Sequence, residues 1–85
     1  MAMIEIYTSR FCGYCMRAKS LLQDKGVGFK EMDVNSEPGL RQKMTERANG
    51  STSVPQIFIN DEHIGGCDEL YALERSGQLD PKLAA

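Results

Sequence analysis

Apolar and polar residues alternate near the N-terminus and then change to a helical spacing. Alternation over residues 3–8 places Ile4 and Ile6 on one face and predicts a first strand. From about Gly13 to Lys25 the apolar residues recur three or four positions apart, which predicts a helix. Gly26 follows and suits the left-handed conformation that ends many helices. The chain therefore begins with a strand and a helix.

A second strand and a second helix follow. Residues 29–34 alternate between polar and apolar side chains, which predicts a partly exposed strand at a sheet edge. Ser36 or Glu37 is expected to cap a second helix. Pro38 would then lie in the first helical turn, where proline is tolerated. Apolar residues at helical spacing continue this helix to the Asn-Gly pair at 49–50, where it ends.

The last third of the chain predicts a hairpin and a closing helix. The apolar run 56–59 predicts a third strand, and a turn at 60–61 joins it to a short strand around His63. Two glycines at 65–66 then interrupt the pattern, and a helix begins near Cys67. The order is β-α-β-α-β-β-α, which combines a parallel β-α-β unit with a hairpin and a helix.

Length and composition limit the class of protein. The 85 residues, of which 41% are apolar and 26% charged, are expected to form one soluble domain, 1–85. A net charge of −2 predicts no nucleic-acid partner, and the sequence predicts neither a membrane span nor a signal peptide. Three cysteines, an odd number, suit a disulfide-rich secreted protein poorly, so we expect a cytoplasmic location.

Two cysteines lie where the first strand meets the first helix. Cys12 and Cys15 fall at the helix N-terminus, whose free N–H groups and partial positive charge stabilise an anion. A thiolate there attacks disulfides, and a second thiol one turn later can resolve the mixed disulfide. We therefore expect Cys12 to be the catalytic nucleophile, with Arg10 adding positive charge nearby. Cys15, on the apolar face of the helix, is expected to be the resolving thiol.

Two other interpretations of this pair are weaker. Both thiols could simply pack in a core, but their spacing at a strand–helix junction favours chemistry. They could instead join His63 and Cys67 as zinc ligands. The 47 residues between Cys15 and His63 carry helix and strand patterns of their own, so the domain needs no metal to fold and we expect no metal site.

Three short motifs stand in order along the chain. They are Cys12-Gly13-Tyr14-Cys15, Ser53-Val54-Pro55 and Gly65-Gly66-Cys67-Asp68. Together they resemble the glutaredoxin family of the thioredoxin-like fold, and the chain looks closest to small bacterial dithiol glutaredoxins. The resemblance implies an α/β fold in which three helices flank a four-stranded mixed sheet. It also implies a glutathione-dependent oxidoreductase that reduces protein disulfides and protein–glutathione mixed disulfides.

The resemblance further implies which residues bind glutathione. They are Tyr14, Ser53, Val54, Pro55, Gly66, Cys67 and Asp68. Tyr14 lines the groove, and a turn with a cis Val54-Pro55 bond presents the backbone of Val54 to the peptide-like part of glutathione. The N–H groups of Cys67 and Asp68 suit its γ-glutamyl carboxylate, and Asp68 suits its ammonium group. Taken alone, Asp68 would equally favour the helix dipole, and Pro55 could simply begin a strand.

Other polar residues have less specific roles. Arg41 or Arg47 could reach the glycine carboxylate of glutathione. Cys67 is an extra thiol that we interpret as structural or incidental. His63 is interpreted as a polar strand residue, because thiol–disulfide exchange needs no general base.

No tightly bound cofactor is needed for this chemistry, in which glutathione is a co-substrate. Some glutaredoxins with a small residue after the first cysteine bind a [2Fe–2S] cluster between two subunits, and Gly13 permits this alternative. Otherwise we expect a monomer whose partners are glutathione and disulfide-containing or glutathionylated proteins, without a membrane or nucleic acid.

Overall fold

The computed structural model describes residues 2–85 and contains four strands and four helices there. In chain order these are β1 (Ile4–Thr8), α1 (Gly13–Asp24), β2 (Lys30–Asp33), α2 (Leu40–Arg47), β3 (Gln56–Ile59), β4 (Glu62–Gly65), α3 (Cys67–Arg75) and α4 (Leu79–Ala84). The α/β class and the order as far as α3 are confirmed. None of these helices is long and apolar enough to span a membrane.

The fourth helix corrects the expectation of three flanking helices. The chain turns at Gly77, where φ is +74°, and then forms the six-residue helix α4. Leu79 and Leu83 of α4 are buried in the same core as α1 and α3. Six residues are too few for helical spacing to register in the sequence, and burial of these two leucines stabilises the segment.

The sheet is mixed, as predicted. Its order is β2-β1-β3-β4; β1 runs parallel to β2 and antiparallel to β3, which pairs antiparallel with β4. The hairpin turns at Asn60 and Asp61, with φ of +51° and +65°. These angles are typical of the tight turns that match strand twist. Both central strands are largely buried, whereas β2 is half exposed at one edge.

Two apolar layers cover the sheet. Ile4, Ile6, Ile57 and Ile59 pack with α1, α3 and α4 on one face. On the other face, α2 packs over a second cluster, which consists of Tyr7, Val34, Met44, Ala48 and Phe58. Alternation along β1 and β3 therefore supplies both layers. The end of β1 leads directly into the loop before α1, which brings Cys12 to the edge of the sheet.

Helix α2 begins later than predicted. Ser36 Oγ donates to the Asp33 carbonyl at 2.7 Å, and the Asn35 N–H donates to Asp33 Oδ1 at 2.8 Å. These bonds hold the segment in turns, a local alternative that short polar side chains offer the backbone. Gly39, with φ of +83°, then precedes the first residue of α2. The expected cap at Ser36 or Glu37 is therefore wrong. By contrast, Gly26 ends α1 with φ of +72°, as predicted.

Candidate active site

Cys12 occupies the N-cap of α1. Its backbone is extended, with φ of −103° and ψ of 107°, and its Sγ accepts the backbone N–H of Cys15 at 3.1 Å. Serine or aspartate oxygens normally make this contact. Here a sulfur takes their place, and a free N–H group of the helix meets it. The side chain is half-buried, and Sγ lies 4.0 Å from the carbonyl oxygen of Val54.

Cys15 lies one turn into α1 and is buried, with 1% of its surface exposed. Burial raises the pKa of its thiol to about 12, and the contact with Cys12 contributes in the same direction. Cys15 is therefore protonated at neutral pH. The two cysteines differ in environment as the sequence predicted, since the sulfur of Cys12 accepts one helix N–H group and the sulfur of Cys15 is buried in the core.

A cleft beside Cys12 brings together the seven residues that the resemblance implies for glutathione binding. It is lined by Tyr14, Ser53, Val54, Pro55, Gly66, Cys67, Asp68 and Glu69. The Val54–Pro55 peptide bond is cis, as the resemblance implied. Tyr14 is 60% exposed and forms one wall of the cleft. Only Glu69 was not among the sequence candidates.

Gly66 lets the start of α3 approach the 53–55 turn. A Cβ at this position would lie 3.3 Å from the carbonyl oxygen of Pro55 and 3.3 Å from Glu69 Oε1. Glu69 reaches back to accept the Gly66 N–H at 2.6 Å, which satisfies one helix N-terminal donor. Gly66 itself has no side chain to cap α3. The N–H groups of Cys67 and Asp68 are thus left available at the cleft.

Cys67 belongs to the core as much as to the cleft. Its surface is 4% exposed, and it packs with Leu70 and the strands. Burial raises the pKa of its thiol. These observations agree with its interpretation as a structural thiol.

A buried glutamine supports the cleft from behind and was missed by the sequence analysis. Gln56 is 3% exposed. Its Nε2 donates to Ser51 Oγ at 2.9 Å and to the Ser53 carbonyl at 3.0 Å. Its Oε1 lies 2.6 Å from His63 Nε2, and Asn49 Nδ2 lies 3.4 Å from the other ring nitrogen. The only sequence signal was a polar residue at the start of an apolar strand.

The two candidate arginines have different surroundings. Arg47 donates to both carboxylate oxygens of Glu5, at 2.9 and 3.2 Å, and to Tyr7 Oη at 2.9 Å. Its guanidinium also lies over the Phe58 ring, 4.1 Å from the centroid, so Arg47 is committed to the α2 side of the sheet. Arg41 instead donates to the carbonyl of Thr52 at 2.8 Å, next to the cleft.

No cluster of three or more metal-ligating side chains occurs within residues 2–85. Both ring nitrogens of His63 contact the amides of Gln56 and Asn49. His63 is therefore part of the hydrogen-bond network behind the cleft.

Comparisons with known proteins agree on one family. The family model named Glutaredoxin matches residues 4–64. The chain is 53% identical over 85 residues to the glutaredoxin of Pseudomonas aeruginosa, covering 100% of both chains. It is 54% identical over 83 residues to glutaredoxin 3 of Escherichia coli, covering 98% of this chain and 99% of that one.

Solved structures give the same result. A buckwheat glutaredoxin–glutathione complex aligns with a TM-score of 0.89 at 29% identity, over 98% of this chain and 77% of that one. A structure described as metal binding of glutaredoxins aligns with a TM-score of 0.74 at 51% identity, over 98% and 89% of the two chains. With its fold, its paired cysteines and these similarities, the chain belongs to the glutaredoxin family.

Proposed function

We propose that this protein is a glutathione-dependent thiol–disulfide oxidoreductase that acts through Cys12 and Cys15. One observation carries the proposal: Cys12 Sγ accepts a helix N–H at 3.1 Å beside a cleft lined by all seven candidate glutathione residues. Helix N-termini stabilise thiolates, and the thiolate is the form that attacks a disulfide.

On a protein–glutathione mixed disulfide, the reaction needs Cys12 alone. The Cys12 thiolate attacks the glutathione sulfur, so a Cys12–glutathione disulfide forms while the sulfur–sulfur bond between glutathione and the protein breaks. The protein sulfur leaves as a thiolate and takes a proton from solvent. A second glutathione, as its thiolate, then attacks the sulfur of the bound glutathione. Oxidised glutathione departs and the Cys12 thiolate is restored.

On a protein disulfide, Cys15 completes the reaction. Cys12 first forms a mixed disulfide with one protein sulfur, and the other protein sulfur leaves as a thiolate. Cys15 then loses its proton and attacks Cys12 Sγ, which releases the second protein thiolate and leaves a Cys12–Cys15 disulfide. Burial, and after it the contact with Cys12, raises the pKa of Cys15. Formation of the mixed disulfide removes the charge on Cys12, and this loss of charge favours deprotonation of Cys15. Two glutathione molecules reduce the internal disulfide.

The cleft supports recognition of glutathione at three points. The Val54 backbone offers hydrogen bonds to the peptide-like part of the ligand. The uncapped N–H groups of Cys67 and Asp68 suit the γ-glutamyl carboxylate, and the Asp68 side chain suits its ammonium group. Arg41 is the better placed candidate for the glycine carboxylate, because Arg47 is already bonded to Glu5 and Tyr7. The similar buckwheat protein is described in complex with glutathione.

The deciding experiment combines an assay with chemical trapping. The protein is mixed with a small glutathione mixed disulfide, reduced glutathione, glutathione reductase and NADPH, and NADPH consumption is followed. In parallel, oxidised glutathione is added alone and peptide mass spectrometry locates the adduct. We expect turnover and a glutathione adduct at Cys12. Absence of turnover, or an adduct confined to Cys67, would remove the basis of the proposal.

A glutathione-ligated [2Fe–2S] carrier is the second candidate. It is favoured by the open space at Gly13, where an added Cβ would meet no atom within 4 Å, beside half-buried Cys12. Cys12 would be the ligand from each chain and would supply one thiolate to iron. Anaerobic purification separates the two candidates: a coloured dimer containing iron and sulfide supports the carrier. A colourless monomer with glutathione-dependent turnover supports the oxidoreductase, whose proposed location is a reducing cytoplasm.

A further inference from the structure

Two exposed apolar side chains stand on either side of Cys12 in the sequence. Phe11 immediately precedes the N-cap, and Met16 is the fourth residue of α1. In many helices the residues at these two positions pack together and fix the entry of the chain, an arrangement called a hydrophobic staple. Here Phe11 is 101% exposed and Met16 is 66% exposed, so the staple is not formed.

The backbone at Phe11 is also unfavourable. Its φ is +56°, in the left-handed region that bulky L-residues rarely adopt. The fold gains no burial from this side chain in return, since it is fully exposed. Strained residues of this kind persist mainly at functional sites. With this backbone conformation, a large aromatic ring lies in solvent on the residue immediately before Cys12.

We propose that Phe11 and Met16 form a docking surface for the protein substrate, which rests on the oxidoreductase function proposed above. Neither side chain lines the glutathione cleft, so the surface adjoins Cys12 without competing for glutathione. The occupant is a short segment of the substrate that carries an apolar residue beside its reacting cysteine. This residue covers the two side chains while the disulfide lies over Cys12.

Charge near this surface adds a second preference. Arg10 and Arg17 are exposed next to Phe11 and Met16, and the first turn of α1 contains no acidic residue. The guanidinium of Arg17 lies over the Tyr71 ring, 5.2 Å from its centroid, and among residues 2–85 neither Arg10 nor Arg17 forms an ion pair with a carboxylate. The segment 10–17 therefore carries two positively charged side chains and no acidic residue, although the net charge of the chain is −2. A substrate segment with acidic residues near the apolar one complements it.

The size of the surface fits a brief encounter better than a second copy of the chain. An aromatic side chain buries about 150–250 Å². Stable protein interfaces bury about 1,200–2,000 Å² in total. Two side chains fall well short of that area, whereas a substrate that must leave after each exchange needs only modest affinity.

The test uses two synthetic peptides, each glutathionylated on its single cysteine. One has leucine and phenylalanine beside the cysteine and an aspartate next to them, and the other has serine and glycine with a lysine. The variants are Phe11→Asn, which tolerates the left-handed backbone, and Met16→Gln. Met3→Gln is the matched control, because Met3 is 63% exposed and immediately precedes β1, at the opposite end of that strand from Cys12.

We expect the wild-type protein to prefer the apolar acidic peptide. In both variants kcat/KM for that peptide should fall roughly three- to tenfold, while the polar peptide and a small glutathione mixed disulfide change less than about twofold. Met3→Gln should retain the wild-type preference. The melting temperature of Phe11→Asn should not decrease, because the backbone strain is relieved.

Several results would overturn the docking surface. One is equal loss on both peptides, another is no loss in either variant, and a third is a wild-type dimer that Phe11→Asn converts to monomer. Failure of the proposed function looks different, because the wild-type protein would then not turn over the small mixed disulfide either. Normal turnover of the small substrate without a peptide preference contradicts only the docking surface.

Discussion

The backbone N–H of Cys15 donates to Cys12 Sγ at 3.1 Å, so the residue expected to resolve the mixed disulfide also contacts the nucleophile through its main chain. The thiol of Cys15 has the opposite chemical character to that of Cys12, because it is buried and its pKa is raised to about 12. One helical turn thus separates a half-buried sulfur that accepts a helix N–H group from a sulfur that is buried in the core.

Replacement of Cys12 and of Cys15 should affect different substrates. Cys12→Ser should abolish turnover of every disulfide, because Cys12 is the only cysteine of residues 2–85 that is not buried. Cys15→Ser should retain reduction of glutathione mixed disulfides and lose most reduction of protein disulfides. Initial rates with a small mixed disulfide and with a disulfide-bonded protein measure both effects. The reverse pattern would exchange the two roles.

Alkylation should distinguish the three thiols by pH. Burial first, and then the contact with Cys12, raises the pKa of Cys15 to about 12, and burial raises that of Cys67. Iodoacetamide reacts with thiolates, so near pH 7 the folded protein should be labelled at Cys12, and label at Cys15 should appear only in strong alkali. Peptide mass spectrometry over a pH series measures this, with guanidinium-unfolded protein as control. Early label at Cys15 would contradict its burial.

Asp68→Ala should weaken the use of glutathione. If Asp68 pairs with the γ-glutamyl ammonium group, its loss removes a charge-assisted hydrogen bond worth about 1.5–3 kcal/mol, and glutathione-dependent kcat/KM should fall roughly ten- to hundredfold. Solvent exposure of Asp68 would reduce this effect. Alkylation of Cys12 should hardly change. Asp24→Ala, an exposed carboxylate at the end of α1, is the control.

Asp68 also lies in the first turn of α3, where it favours the helix dipole. The melting temperature must therefore be measured for both variants. Normal glutathione kinetics in a well-folded Asp68→Ala protein would restrict Asp68 to helix stabilisation.

The Glu5–Arg47 pair should make stability depend on acid pH. The hydrogen bond from Arg47 is the main cause that holds the pKa of Glu5 below its ordinary value of 4.5. A carboxyl group whose pKa is lower in the folded state stabilises the protein at pH values above its unfolded-state pKa. This contribution is lost as the pH falls through the folded-state pKa. The free energy of unfolding should therefore decrease below about pH 4.5, and less steeply in Arg47→Met.

At neutral pH, Arg47→Met should lower the free energy of unfolding by about 1–3 kcal/mol, since Glu5 is left partly buried and unpaired. Urea unfolding at several pH values measures both effects. Lys82→Met is the control, because its pair with Glu62 is more exposed and should contribute less than about 1 kcal/mol. Equal losses of unfolding free energy in Arg47→Met and Lys82→Met would contradict the larger stabilising role given to the Glu5–Arg47 pair.

The sequence by itself determined the elements whose signals are local. The alternation in β1, the left-handed glycine after α1 and the Asn60-Asp61 turn each depend on a few neighbouring residues, and the structure confirms them. The position of Cys12 at a strand–helix junction is local in the same sense. The two-cysteine spacing and the two other motifs then identified the family, and through it the residues that line the cleft.

Tertiary structure decided what depends on contacts between distant segments. Buried Gln56 at the start of β3 holds the 51–53 loop through hydrogen bonds. The leucines of α4 stabilise that helix by packing into the common core. Helix α2 starts late because hydrogen bonds to Asp33 hold the preceding backbone in turns. The exposed, left-handed Phe11 is the clearest case. Residues at the positions of Phe11 and Met16 often pack together at a helix start, but here the path of the chain from β1 into α1 leaves both side chains in solvent.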